Sequence, residues 1–493
     1  MARFCVLSFG CRASQADGAA IKRQLLEAGH QANQSVEASE LVIIQTCTVT
    51  ATADAEARQV IRRVQRSQPN CKILVTGCYA QRAPEEVAEL PGVTWVVGHS
   101  HRHRISEIVR NEFPQAARHS PCECGALSAA RPTLQGLAVS EPPATLQQTP
   151  RPQRDKNQAQ IWAGEIGGEF HFSPVFADDR TRPTLKVQDG CNARCSFCVI
   201  PHVRGRSRSL EPELAISQVR ALAAQGYREV VLSGINLGSY GRDLMPKINF
   251  LSLLERMLQE TPIERVRISS IEPMDVSGEL IELVAREPRV AQHFHVPLQS
   301  GCNRILRLMS RRYWTEQYAE KIMAIRERLP EAAIGADVMA GFPGETHEDH
   351  KESVRFIESL PFTYLHVFPY SARPGTLAPR LPNPVDGRRA HERCREIQAI
   401  GRAKQHDFAH AHVGRTLSVL TLHETRQGER LGLSSNYLKV VLTDRALPAN
   451  VISQVRIEGI EEGFLRGRIE AGHPPMVVTS APQAPARLGR CQP

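Results

Sequence analysis

Apolar and polar positions divide the chain into stretches of different period. Up to about residue 112, short unbroken apolar runs at Phe4–Phe9, Leu41–Gln45, Ile73–Thr76 and Thr94–Val97 read as buried strands, and 3.6-residue patterns at Asp17–Ala28 and Ala53–Arg66 read as helices. Strand–helix alternation predicts a parallel sheet covered on both faces. The same alternation resumes between Thr184 and about Pro382, with strands expected at Leu185–Gln188, Glu229–Ser233, Val266–Ser269, His293–Pro297, Ala333–Met339 and Tyr364–Pro369. Amphipathic helices such as Pro212–Gln225 and Thr315–Arg328 lie between them. About six such units predict a parallel barrel, complete or partial. Arg388–His412 reads as one long polar helix, and short strands at Leu417–Leu422, Tyr437–Leu442, Val451–Ile457 and Phe464–Ile469 predict a small closing β-barrel.

Between the first two stretches the pattern disappears. Residues 113–180 carry Pro121, Pro132, Pro142, Pro143, Pro150, Pro152 and Pro174 among Ala, Gln and Ser, which reads as a largely disordered linker. The organisation expected is therefore an α/β chain with an N-terminal parallel-sheet domain at 1–112, a linker at 113–180, a central TIM-like barrel at 181–412, a small OB-like β-barrel at 413–478 and a loose tail at 479–493. The length of 493 residues, too great for a single core, agrees with several domains. No apolar run approaches the ~20 residues that cross a bilayer, and Met1–Gly10 has no signal-peptide pattern, so a cytoplasmic protein is expected. A net charge of +9 is compatible with a polyanionic partner without assigning one.

The thirteen cysteines change the picture. A reducing compartment disfavours disulfides, so clustered thiols point to metal ligands or catalysis, while Cys5, Cys71 and Cys394 read as buried small hydrophobes and Cys122 and Cys124 as incidental. Cys191, Cys195 and Cys198 follow a strand and Gly190 in a Cys-x3-Cys-x2-Cys loop. Three thiolates on a 4Fe–4S cube leave one iron open to the amino acid part of S-adenosylmethionine, the arrangement for reductive radical generation. Structural zinc held with His202 is the alternative reading. Cys11, Cys47 and Cys78 each stand just past a predicted strand, and the carboxyl ends of a parallel sheet share one edge, so these three can converge on a second site.

The ordered set of motifs resembles the radical SAM methylthiotransferase family. It comprises Cys11, Cys47 and Cys78; Gly190-Cys-Asn-Ala-Arg-Cys-Ser-Phe-Cys-Val-Ile-Pro201; Arg204-Gly-Arg; His295-Val-Pro-Leu-Gln-Ser-Gly301; Gly341-Phe-Pro-Gly-Glu-Thr346; and a closing barrel similar to a TRAM domain. Leu232–Gly241, His366–Thr376 and Ser435–Val440 resemble the branch that modifies N6-threonylcarbamoyladenosine beside the tRNA anticodon. The branches acting on isopentenyladenosine or a ribosomal protein are the near alternatives, and a zinc-stabilised RNA-binding protein is the alternative of another class. The resemblance implies two 4Fe–4S clusters, S-adenosylmethionine, tRNA as partner, a sulfur donor, a reducing electron donor and a monomeric enzyme. It further implies that the Cys191 trio makes the radical while the Cys11 trio handles sulfur. The chain departs from the family pattern at Cys11-Arg-Ala-Ser14 and Gln45-Thr-Cys47, and its linker is longer.

Other candidates sit at predicted strand ends. Ser233 and Gly234 are placed by the resemblance at the methionine amino group, and Glu272 and Gln299 are candidates for ribose or carboxylate, against an ordinary loop role for each. Arg204 and Arg206, then Arg307 and Arg311, form basic runs suited to RNA phosphates. Tyr437 and Lys439 are the candidates for base stacking and phosphate contact on the terminal barrel.

Overall fold

A computed structural model describes residues 1–110, 112–113, 159–168, 171, 181–444 and 447–470. Most of the expected linker, with Cys122 and Cys124, and the tail with Cys491 lie outside the described residues.

The first unit is a six-stranded, wholly parallel sheet. Its elements run β1 (Arg3–Ser8), α1 (Arg12–Glu27), β2 (Gln31–Ala32), β3 (Leu41–Thr46), α2 (Ala51–Ser67), β4 (Lys72–Gly77), α3 (Cys78–Arg82), α4 (Pro84–Ala88), β5 (Val93–Val97), α5 (Ile105–Arg110) and β6 (Gln160–Trp162), in the sheet order β2-β1-β3-β4-β5-β6. Alternate residues of β3 enter two different cores. Val42 and Ile44 pack with α2 residues Ala57 and Ile61 on one face, and Leu41 and Ile43 pack with α1 residues Ile21 and Leu25 on the other. Burial on both faces explains why these strands are continuous apolar runs. β6 corrects the linker expectation over its length: Trp95, Val96 and Val97 pair with Gln160, Ile161 and Trp162. A three-residue edge strand is too short to leave a period in the sequence.

The central unit contains β7 (Thr184–Lys186), β8 (Gln188–Asp189), α6 (Ile200–Arg204), β9 (Arg208–Ser209), α7 (Pro212–Ala224), β10 (Glu229–Ser233), α8 (Phe250–Glu260), β11 (Arg265–Ile268), α9 (Gly278–Arg286), β12 (His293–His295), α10 (Asn303–Leu308), α11 (Thr315–Arg328), β13 (Ala333–Ala340), α12 (His347–Ser359), β14 (Tyr364–Pro369) and α13 (Gly387–His410). Two parallel three-stranded sheets, β11-β10-β7 and β12-β13-β14, are stitched by a bridge between Val266 and Val290 into an open six-stranded barrel. Side chains along its strands alternate in direction, with Val231 an apolar exception at an inward position. Val230, Leu232, Val266, Ile268, Phe294, Val296, Ile334, Ala336 and Val338 belong to the large apolar core under the helices. The intervening residues Lys186, Glu229, Arg265, Arg267, His293, His295, Asp337, Tyr364 and His366 contact one another or the neighbouring units and line the inner side. A period of two, apolar towards the helices and polar inward, gives this barrel a chemically furnished lumen.

The last unit is a closed barrel of β15 (Thr416–Arg426), β16 (Glu429–Ser434), β17 (Lys439–Leu442), β18 (Ile452–Glu461) and β19 (Phe464–Ile469), ordered β15-β16-β17-β19-β18. It sits at the amino ends of the central strands. Arg267 donates to Ser434 O and Ser435 O, both at 3.0 Å, Asn450 Nδ2 donates to Gly226 O at 2.8 Å, and Asn436 Nδ2 donates to Glu331 O at 3.0 Å. The N-terminal sheet instead spans the open side of the central barrel. On α1, Asp17 pairs with Lys186 of β7 at 2.6 Å, and on α2, Asp54 pairs with Arg373 beyond β14. These are the two edge strands that the open barrel leaves unjoined.

Candidate active site

Three of the six candidate cysteines follow a glycine with positive φ. Gly10 (+91°), Gly77 (+100°) and Gly190 (+72°) precede Cys11, Cys78 and Cys191. At Gly10 an added Cβ would lie 2.5 Å from Cys47 Cβ, and at Gly190 it would collide with Arg206 O. Only glycine makes such turns without strain where the backbone passes so close to a neighbour.

Cys11, Cys47 and Cys78 converge at the carboxyl edge of the first sheet. Burial pushes the Cys78 thiol up to about 12; Arg204 opposes that rise, and Cys47 and Cys11 add to it. Cys47 is raised by burial and then by Cys11. Cys191, Cys195 and Cys198 form an equivalent set, with Cys198 raised to about 12 by burial and further by Cys195 and Cys191. Three mutually repelling thiols, partly or wholly withdrawn from water except for the exposed Cys11, hold their charge best with a cation among them. Among the described residues, the groups whose ligand atoms all lie within 4.8 Å of one another, as one ion requires, are His295/Asp337/His366 and Cys302/Asp349/Glu352; neither cysteine trio is among them. Soft donors spaced more widely than one ion bridges fit a multi-iron cube. His202, the fourth ligand of the zinc alternative, is exposed, whereas Arg311 Nη1 lies 3.4 Å from Cys195 Sγ. At the first trio, His99 Nε2 lies 3.4 Å from Cys78 Sγ, and burial together with Arg204 and Arg102 keeps His99 neutral. Both amide atoms of Gln45, beside this trio, are buried without hydrogen-bond partners among the described residues.

The two trios face one another. Val199, next to Cys198, and Val203 pack directly on Cys78. Beside that contact lies a buried charge network in which Asp17 pairs with Arg204 at 2.9 Å and Arg102 at 2.7 Å as well as with Lys186. Asp189 pairs with Lys186 at 2.5 Å and Arg204 at 2.9 Å. Burial alone would raise both carboxyls, but the cations outweigh it and hold them well below the usual range. Arg204 is likewise held above its ordinary value, with Cys78 and the two aspartates overcoming burial.

Ser233 and Gly234, Glu272, and Gln299 fall at the ends of three consecutive strands, above the Cys191 loop. An added Cβ on Gly234 would meet Leu237 at 2.9 Å and Gln188 at 3.0 Å. Glu272 is ion-paired with Arg311. Gln299 has φ +65°, and among the described residues its buried Oε1 has no hydrogen-bond partner, as is also true of Asn236 Oδ1 and Ser269 Oγ. These orphaned groups fit a polar cofactor at the strand ends.

Two expected RNA contacts, Arg204 and Arg311, are corrected, and Tyr437 stands in a different place from the one expected. Arg204 has a fully buried side chain inside the charge network. Arg311, 7% exposed, lies between Cys195 and Glu272. Tyr437 is not on an outer barrel surface: its ring stacks on His293 at 4.3 Å, with Tyr364 at 5.5 Å, and forms the floor of the lumen. Arg206, Arg307 and Lys439 remain exposed. Above the floor, Asp337 accepts from His295 Nε2 at 3.0 Å and His366 Nδ1 at 3.3 Å. Sequence reading missed His99, Asp17, Arg102, Asp337 and Arg12; for Asp337 the available signal was a lone carboxylate inside the otherwise apolar strand β13.

Residues 185–357 match the model of the Radical SAM superfamily, and residues 3–98 match that of Uncharacterized protein family UPF0004. Threonylcarbamoyladenosine tRNA methylthiotransferase MtaB of Bacillus subtilis (strain 168) is 35% identical over 90% of this chain and 90% of its own. The chain belongs to the radical SAM methylthiotransferase family. Within that family, MtaB of Aquifex aeolicus (strain VF5) is 34% identical over 88% of this chain and 95% of its own. A tRNA-2-methylthio-N(6)-dimethylallyladenosine synthase of Pelotomaculum thermopropionicum is 30% identical over 87% and 88%. As a radical SAM methylthiotransferase the chain is an enzyme that uses S-adenosylmethionine and two 4Fe–4S clusters. Its fold resembles the cobalamin- and [4Fe–4S]-bound radical S-adenosylmethionine methyltransferase TsrM of Kitasatospora setae, with TM-score 0.50, 16% identity and 74% of each chain covered.

Proposed function

We propose that this enzyme places a methylthio group on carbon 2 of N6-threonylcarbamoyladenosine next to the tRNA anticodon. In this reading Cys191, Cys195 and Cys198 hold the cluster that takes S-adenosylmethionine, and Cys11, Cys47 and Cys78 hold the auxiliary cluster. When bound, these groups supply the electron that opens the sulfonium and the sulfur that is transferred. The observation that carries the assignment is the packing of Val199 and Val203 on Cys78, which sets the two thiol trios face to face across one buried contact.

The chain's own residues have definable tasks. Ser233, Gly234 and Gln299 line the strand ends where the cofactor's amino acid and ribose would lie, and Arg311 holds Glu272 in place. Arg204 and Arg102 keep a buried positive charge beside Cys78 and His99, matching an anionic thiolate cluster. Arg206, Arg307 and Lys439, all exposed, are the phosphate contacts of this reading. The inferred domains run 1–112, 181–412 and 413–478. The enzyme is inferred to be monomeric and cytoplasmic, fed by separate electron and sulfur donors; among the described residues no helix is long and apolar enough to cross a membrane.

Nucleoside mass spectrometry of tRNA from cells with and without the gene tests the proposal. Loss of the 2-methylthio form of threonylcarbamoyladenosine is expected. Loss of the 2-methylthio form of isopentenyladenosine instead would assign the chain to the other tRNA branch.

A further inference from the structure

The lumen floor carries more positive charge than its partners neutralise. Glu229, fully buried, is its carboxylate, and it faces Arg265, Arg267 and Arg182. Arg267 is spent on Glu229, Ser434 O and Ser435 O, and Arg265 on Glu229 and Ser418. Arg12 differs. It follows Cys11 directly and enters from the N-terminal unit. Its Nη2 donates to Tyr437 Oη at 3.2 Å, and its buried Nη1 has no partner among the described residues. Around it stand Tyr437 and Tyr364, each stacked with His293 and tilted towards one another. His293 is kept neutral by burial and by Arg267, Arg12 and Arg182. A neutral ring wall, a surplus of cations and an unused guanidinium nitrogen together describe a receptor for a small anion attached to a flat group.

We propose that Arg12 binds the threonyl carboxylate of the substrate's threonylcarbamoyl group and makes the enzyme selective for an adenosine whose N6 substituent is acidic. The inference rests on the functional reading above and goes beyond it, because it names the group that separates this substrate from an adenosine with a hydrocarbon on N6. An isopentenyl chain would leave Nη1 buried and unpaired, a penalty the carboxylate removes. The placement also suits the chemistry: Arg12 adjoins Cys11 in the chain, and Cys11 belongs to the trio assigned to sulfur delivery. His295, Asp337 and His366 form the next polar layer of the lumen, available to the base itself.

The test uses the reconstituted holoenzyme and three anticodon stem-loops, carrying threonylcarbamoyladenosine, its carboxyl methyl ester, or isopentenyladenosine. Wild type should favour the acid over the ester by about 10- to 100-fold in kcat/KM, the range of one charge-assisted hydrogen bond. Arg12→Gln should bring that ratio close to one, and Arg12→Lys should keep an intermediate ratio. Iron content and affinity for each stem-loop at two ionic strengths are measured alongside, so that misfolding or cluster loss is separated from lost selectivity. A wild type that does not distinguish acid from ester, or an Arg12→Gln variant that keeps the full ratio, overturns the inference while leaving the functional reading intact. An equal fall in affinity for all three stem-loops, with a shallower salt dependence, would reassign Arg12 to a backbone phosphate and also overturn it. Product from the isopentenyl stem-loop alone defeats the functional reading and this inference with it.

Discussion

The charge network between the first sheet and the central barrel makes a quantitative prediction. It contains three cations, Lys186, Arg204 and Arg102, and two anions, Asp17 and Asp189, all largely or wholly buried. Asp17→Asn leaves three cations against one carboxylate, a buried surplus of two charges. Arg204→Met leaves two against two. Removing one partner of a buried pair costs about 3–5 kcal/mol. Asp17→Asn belongs at the upper end because the remaining charges no longer balance. Arg204→Met belongs at or below about 3 kcal/mol, since Asp17 keeps Lys186 and Arg102 and the methionine fills much of the vacated volume. The double variant should lose less than the sum of the two, because the groups share partners. Guanidinium unfolding under argon, followed by circular dichroism on iron-loaded protein, gives all three values. Equal or greater destabilisation by Arg204→Met would refute the argument that charge balance, rather than packing around Arg204, sets the order.

Further outcomes follow from other parts of the site. Reconstituted protein should hold about eight irons per chain; Cys195→Ala or Cys198→Ala should remove about half and abolish deoxyadenosine release. Cys11→Ala, Cys47→Ala or Cys78→Ala should also remove about half but leave cofactor cleavage uncoupled from product, and full product yield would remove that cysteine from the ligand set. Gly190→Ala should lower iron occupancy of the central trio while sparing the first, because the new Cβ strikes Arg206 O at positive φ; an unchanged absorption spectrum would contradict this. Glu229 is lowered to about 2, where Arg267, Arg265 and Arg182 overcome burial. Its contribution is complete above the ordinary carboxylate value near 4.5 and is lost as pH falls towards 2. Wild type should therefore lose stability through that window, and Glu229→Gln, weaker at neutral pH, should show a flatter acid limb in pH-dependent unfolding.

Much of this architecture is readable from period and punctuation. Glu229–Ser233 and Tyr364–Pro369 match their sequence boundaries, because short apolar-rich runs between helical stretches mark the central strands. The glycines before Cys11, Cys78 and Cys191 announce tight turns at strand ends. The basic runs were the weak point, because a charge run says nothing about what its members meet after folding. Arg204 finds Asp17 187 residues away, and Arg373 finds Asp54 319 residues away. Tyr437 was legible as a functional aromatic but not as a floor residue, since its φ of +68° turns it away from the strand pattern that follows. β16 was missed for a related reason: Gly432 interrupts its alternation so that Val419 can cross close above it.

The hydrogen bond from Arg12 to Tyr437 joins residues 425 positions apart. At the ~5–20 residues per second of protein synthesis, Tyr437 leaves the ribosome roughly 20–85 s after Arg12. Cys11, Cys47 and Cys78 have all emerged by then, while Arg12 still lacks its Tyr437 partner. The Arg12–Tyr437 hydrogen bond is thus among the last contacts that the first unit can make, and Cys11 beside it stays exposed even after that contact has formed.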